Sequence, residues 1–180
     1  DRQLKDGDIV NIDVAVIKDG YIGDTSRMFL IGNVSSFAKR LSQVTFECMW
    51  LGIKEVRAGK HLGDVGFVIE KHAHANGYSV VEDFCGHGVG RNFHEEPQVL
   101  HYGKKETGVE LKEGMIFTIE PMINQGKKQI KFMSNGWTAV TKDRSLSAQW
   151  EHTVLVTKNG YEVLTVSPNM PKEPNFDELR

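Results

Sequence analysis

Apolar and polar positions near the start of the chain follow a strand-turn-strand pattern. Ile9 to Ile17 is rich in Ile and Val, Tyr21 to Phe29 follows, and Asp19-Gly20 between them is the dipeptide that two-residue hairpin turns favour. This predicts a β-hairpin. From Ser36 the period lengthens: Phe37, Leu41, Val44, Cys48 and Leu51 recur at helical spacing, predicting an amphipathic helix that ends before Gly59. Phe37 and Trp50 are expected in its core face. A second helix is predicted from Leu62 to Asn76, with Leu62, Val65, Ile69 and Ala73 on one face and Gly77 as its stop.

Beyond Gly77 the helical period disappears. Tyr78 to Val81, Met115 to Ile119 and Thr153 to Val156 predict strands separated by glycine-rich loops, and Asn159-Gly160 marks another hairpin turn before Tyr161 to Leu164. Hairpins with helices gathered in one stretch make an α+β fold with an antiparallel sheet. Residues 1–166 are expected to form one domain. Residues 167–180, with Pro168, Pro171 and Pro174 among charges, are expected to form a surface tail.

Composition narrows the classes. An apolar share of 39% can build a core, and 22 basic against 24 acidic residues leave a net charge of −2, which argues against DNA or RNA as the partner. Cys48 and Cys85 form no disulfide framework or zinc ribbon, so a reducing, cytoplasmic setting is expected. No apolar run approaches the ~18 residues that would span a bilayer. The chain opens on Asp1 rather than Met, as a processed product or part of a longer chain would.

Against this background the acidic residues of the strands stand out, because a carboxylate on a buried strand face is costly unless paired or metal-bound. If the first hairpin turns at Asp19 and Gly20 alone, Asp13 faces Ser26 and Asp24 faces Ala15. Both aspartates then share a sheet face as diagonal neighbours about 7–8 Å apart. One extra loop residue would separate them. Like charges brought together call for cations between them, and three further ligands sit in strand-like settings: His87 in Cys85-Gly86-His87-Gly88-Val89-Gly90, Glu120 after Ile116-Phe117-Thr118-Ile119, and Glu151 before His152-Thr153-Val154. Four carboxylates and a neutral imidazole match two divalent ions.

Other signals are weaker. Gly86-x-Gly88-x-Gly90 continues with Arg91 and lacks the third glycine and helix of a dinucleotide site; His94-Glu95-Glu96 has Gln98 where a His-Glu-x-x-His zinc motif ends differently. Cys85 reads as a buried small residue, and His72 and His74 as solvated residues of a helix. His61 and His101 have no identifiable partner.

Together the runs Asp8-Ile9-Val10-Asn11-Ile12-Asp13-Val14, Gly23-Asp24-Thr25-Ser26, Cys85 to Gly90, Phe93-His94-Glu95-Glu96-Pro97, Phe117-Thr118-Ile119-Glu120-Pro121-Met122 and Ser147-Ala148-Gln149-Trp150-Glu151-His152-Thr153 are specific. From Leu4 to about Thr165 the sequence resembles the methionine aminopeptidases of the pita-bread fold, bacterial type I branch, more than the related prolidases.

The resemblance implies a curved antiparallel sheet covered by helices, truncated at its N-terminus because the family's opening helix and strands precede Leu4. It implies a cytoplasmic metal-dependent hydrolase that removes the initiator methionine from nascent proteins, at the ribosome, as a monomer unless an exposed sheet edge pairs. It puts the five metal ligands on Asp13, Asp24, His87, Glu120 and Glu151. Asp24 and Glu151 would bridge two ions, Asp13 would hold one, and His87 with Glu120 the other. Mn, Fe or Co are the expected ions, with Zn admissible. Glu120 would shuttle the proton and His94 would contact the substrate peptide. Phe93 and Trp137 would lie near the methionine pocket, although plain core packing would equally explain Trp137. In the family the upstream segment supplies another histidine and much of that pocket, so a metal- or peptide-binding protein of impaired activity is the alternative, with a prolidase-type peptidase behind it.

Overall fold

Asp19 and Gly20 both take positive φ, 52° and 79°, the backbone of a tight two-residue hairpin turn. That turn joins β1 (Ile9–Lys18) to β2 (Tyr21–Leu30) in a computed structural model that describes residues 2–176. The register is the one a two-residue loop dictates: Lys18 pairs with Tyr21, Asp13 with Ser26 and Asp24 with Ala15. Asp24, Ser26 and Met28 are buried on one face of the hairpin. The opposite face carries Ile12, Val14 and Val16, each about half exposed, so the apolar residues of β1 do not mark the core side.

Two helices follow, α1 (Ser36–Lys54) and α2 (Leu62–Ala75). The Ser35 hydroxyl caps α1 by accepting the Ala38 N–H at 3.3 Å, and the Asp64 carboxylate accepts the His61 N–H at 2.9 Å at the start of α2. Gly77, at φ 78°, turns the chain out of α2. Leu41, Val44 and Cys48 are buried against Val65, Ile69 and Ala73 in one core. Phe37 departs from expectation. It lies 70% exposed, while its neighbour Ala38 in the same first turn of α1 is buried, so the buried stripe enters the helix at Ala38 and not at Phe37. His72 also departs, since its ring meets the buried Glu47 carboxylate of α1 at 2.8 Å rather than solvent alone.

The rest of the described chain is β: β3 (Ser79–Val80), β4 (Gly86–Gly88), β5 (Glu95–Val99), β6 (Ile116–Ile119), β7 (Met122–Asn124), β8 (Ile130–Phe132), β9 (Ala139–Thr141), β10 (Ser147–Gln149), β11 (His152–Thr157) and β12 (Gly160–Val163). Every pairing is antiparallel. The largest sheet runs β12-β11-β6-β4-β5, beside β10-β7-β3 and the hairpin β8-β9. The last hairpin closes on Thr157 and Gly160, so its turn residues are Lys158 and Asn159 rather than Asn159 and Gly160; this register sets Val154 against Val163 and Val156 against Tyr161. α1 packs on β6, β7, β10 and β12, with Phe117, Ile119, Ile123 and Val154 fully buried beneath the helices.

Of the C-terminal stretch, the described part lies along the body: the Asn169 carbonyl accepts from Arg27 at 2.6 Å, Glu173 pairs with Lys54 at 2.7 Å, and Phe176 packs against the core. Residues 177–180 lie outside the described residues. No described helix is long and apolar enough to cross a membrane.

Candidate metal centre

The first hairpin is fastened to the β10–β11 corner by side chains that accept or donate across the gap. Asn11 donates its amide to the Gln149 carbonyl at 2.8 Å, Thr25 donates to the Glu151 carbonyl at 2.8 Å, and Thr153 donates to the Asp24 carbonyl at 2.7 Å. The Glu151 N–H returns a bond to the Ser26 carbonyl at 3.2 Å. These four bonds set the Asp24 and Glu151 side chains against each other.

His87 arrives from β4, where the flanking glycines let the neighbouring strands close in. A Cβ at Gly86 would stand 2.4 Å from the Thr118 carbonyl oxygen, and one at Gly88 2.2 Å from that of Glu96. The glycines therefore serve strand-to-strand approach. Gly88→Ala is expected to cost about 1–3 kcal/mol by forcing β4 and β5 apart, read as a lowered denaturation midpoint; an unchanged midpoint would show that β5 yields freely.

Asp13, Asp24, His87, Glu120 and Glu151 all line one cavity of about 590 Å³. Ligand atoms of Asp24, His87 and Glu151 fall within 4.8 Å of one another. His87 Nε2 lies 3.6 Å from Asp24 Oδ2 and 3.6 Å from Glu120 Oε1. Its Nδ1 sits 2.9 Å from the Gly88 carbonyl oxygen, which can only accept, so Nδ1 carries a proton and Nε2 is the ring atom turned toward the carboxylates.

Burial drives the titration of this cluster. It raises Glu120 to about 7 despite the Thr118 hydrogen bond and His87, which pull the other way. Burial and the charges of Glu120, Asp24 and Asp13 push Glu151 far above the usual carboxylate range. Burial and the Asp24 charge also raise Asp13. For His87 burial works downward, but the Asp24 carboxylate, the Gly88 carbonyl and Glu120 outweigh it and raise the imidazole.

A metal fits these residues on structural grounds. Asp24 Oδ1 and Glu151 Oε2 are buried oxygens without a hydrogen-bond partner among the described residues. Orphaned acceptors of this kind are costly unless a cation meets them. Four carboxylates and one imidazole form an oxygen-rich set suited to divalent ions.

His94 and Phe93 also line the cavity. Their rings cluster with His87, the His87 and His94 centroids lying 4.4 Å apart and those of His87 and Phe93 5.6 Å. Trp137 does not join them. It is 87% exposed near the end of the β8-β9 hairpin, where the Asn135 carboxamide oxygen accepts the N–H groups of Trp137 and Thr138 and closes the turn, leaving the indole outside the core and outside the cavity lining.

Three residues that sequence reasoning missed support the site. His101 is buried in the loop after β5, and its Nε2 accepts the Glu120 N–H at 3.0 Å; burial lowers its imidazole to about 3, so it stays neutral and can accept. The Gln149 amide donates to Glu120 Oε2 at 3.2 Å. Cys85 lines the cavity at intermediate burial rather than sitting wholly inside the core, and burial with the Glu120 and Glu96 charges pushes its thiol up, against thiolate chemistry. Only the position of Cys85 beside Gly86-His87 hinted at this. The contacts of His101 and Gln149 left no local signal.

The fold and the cluster of carboxylates define the class: residues 1–158 match the model of metallopeptidase family M24, and the chain belongs to that family. It is 59% identical over 165 residues to the methionine aminopeptidase of Escherichia coli strain K12, covering 92% of this chain and 62% of that protein. It is 54% identical over 177 residues to the methionine aminopeptidase of Rickettsia prowazekii strain Madrid E, covering 98% and 68%. The crystal structure of methionine aminopeptidase from Rickettsia prowazekii superposes with a TM-score of 0.89 at 55% identity, over 91% of this chain and 66% of that one. A prolidase from Pyrococcus furiosus shares the fold alone, at 24% identity and a TM-score of 0.72 over 94% of this chain. The pita-bread α+β architecture expected from sequence is thus the fold of the chain. The chain spans 62% of the length of the E. coli relative it matches.

Proposed function

We propose that the chain carries the dinuclear centre of a methionine aminopeptidase and hydrolyses the bond after an N-terminal methionine. The observation that supports this most is the convergence of Asp13, Asp24, His87, Glu120 and Glu151 on one cavity with two buried carboxylate oxygens left for cations. Asp24 and Glu151, at the centre of the cluster, would bridge two ions. His87 and Glu120, 3.6 Å apart at their nearest atoms, would complete one, and Asp13 the other. Mn, Fe or Co suit these donors, with Zn admissible. When bound, such ions supply Lewis-acid activation of water and of the scissile carbonyl.

The chain's own residues do the rest. Glu120, lining the cavity with its carboxylate held by Thr118 and Gln149, would take a proton from the water and return it to the leaving amine. His94, at the cavity lining beside His87, donates to the substrate peptide, and Phe93 packs beside the methionine side chain. Residues 1–166 form the catalytic unit and 167–180 its tail. The substrate is the N-terminal methionine of nascent peptides leaving the ribosome in the cytoplasm, and the chain acts as a monomer unless the free edge of β1 pairs.

Incubation with Mn and a Met-Ala-Ser peptide, against an X-Pro peptide, tests the reading. Release of free methionine from the first alone is the expected result. Cleavage of the X-Pro peptide instead would make the chain a prolidase-type enzyme, and hydrolysis of neither with ions bound would reduce it to a metal-binding protein.

A further inference from the structure

We propose that Thr118 is a positioning residue whose single hydroxyl locks His87 and Glu120 into one ligand pair; the inference rests on reading these two as ligands of the same ion. Thr118 is fully buried on β6, between the two residues it joins. Its Oγ1 accepts the His87 N–H at 3.0 Å and stands 2.7 Å from Glu120 Oε1. A hydroxyl has one proton to give. The alternative acceptor, the His87 carbonyl oxygen, is 3.5 Å away, so the proton goes to the carboxylate as the shorter, charge-assisted bond.

Why a side chain does this follows from the sheet. β4 and β6 are in register only at Gly88 and Phe117, and the pairing of β4 with β5 shifts between His87 and Gly88. In that irregular stretch the His87 N–H is received by the Thr118 hydroxyl. The same oxygen therefore fixes the main chain that carries one ligand and the carboxylate of the other.

Glu120 is held on its remaining sides as well. Gln149 donates to Oε2 and His101 accepts the backbone N–H. Donors on both carboxylate oxygens fix the plane of the group, and each oxygen keeps a second lone pair for an ion. The β-branched side chain of threonine, restricted at χ1 and fully buried here, further limits the hydroxyl's freedom.

The test is titration of the chelator-stripped chain with Mn2+ by calorimetry, with electron paramagnetic resonance of the bound ion, for the wild type, Thr118→Val and Thr118→Ser. Valine keeps the shape and deletes the hydroxyl, and serine keeps the hydroxyl and deletes the methyl group. Thr118→Val is expected to weaken one of the two ions about 10- to 100-fold and alter its resonance spectrum, and Thr118→Ser to restore both. Should Thr118→Val not fold, Thr118→Ala against Thr118→Ser makes the same comparison. Wild-type affinity in the hydroxyl-free variants, or equal loss in Thr118→Ser, would overturn the inference. A wild-type chain that binds no ion would overturn the metal-centre reading beneath it.

Discussion

Asp24→Ala is expected to abolish binding of both ions, so that metal analysis of the dialysed protein falls from two ions per chain toward none. Asp24 is 3% exposed, its Oδ2 lies 3.6 Å from His87 Nε2, and its Oδ1 is one of the orphaned acceptors facing the cluster. A residue so placed acts on its neighbours in the centre: its charge raises Asp13 and Glu151 and favours the protonated form of His87. Removing a ligand that serves one ion would leave the other in place, whereas removing one shared by both leaves each short of an anionic oxygen. Alanine also opens the corner where the hairpin meets Glu151. If two ions remain bound to the variant, Asp24 does not bridge.

The second large effect belongs to Glu120. Glu120→Gln is expected to lower turnover of a Met-Ala-Ser peptide about 10²- to 10⁴-fold, the usual loss when a positioned acid-base group is removed. Glutamine retains an oxygen donor and an amide that can still face Thr118 and Gln149, so metal analysis of the same sample separates lost proton transfer from lost ions. Glu120 suits the task by position, since it lines the same cavity as the other four candidate ligands and both of its carboxylate oxygens are held by donors. Turnover at the wild-type rate with ions bound would place the proton shuttle on another residue.

These expectations rest on features that were unequally legible in the chain. Asp13 and Asp24 could be set on one face from the sequence because Asp19-Gly20 fixes a two-residue turn, and a two-residue turn fixes the parity of every pair along β1 and β2. The helices were legible for a similar reason, since Leu41, Val44 and Cys48, like Val65, Ile69 and Ala73, repeat at the spacing of one buried stripe. The five candidate ligands stood out through local conflict, carboxylates where strands prefer apolar groups. All of this is information carried between near neighbours.

What the tertiary structure decided depends on residues that are distant in the chain. The apolar row of Ile12, Val14 and Val16 resembles a buried face, yet it is the Asp24 and Ser26 face that is buried, while Asn11, Thr25 and Thr153 tie the hairpin to β10 and β11 by reaching partners more than a hundred residues away. Phe37 and Trp137 have the chemistry of core residues and are exposed, because burial is conferred by the surface a side chain meets and not by its own polarity. His101 had no identifiable partner until the loop after β5 brought it to the Glu120 N–H, and the Thr118 hydroxyl gained its meaning only when β4 and β6 came side by side. The sequence by itself determined the two helices, the first hairpin with its parity, and the candidate donors, through turn geometry, periodicity and local conflict. Tertiary packing alone decided which face was buried, which oxygens were left without partners and which neutral groups hold the candidate ligands in place, because each of these is a contact between segments that no local rule connects.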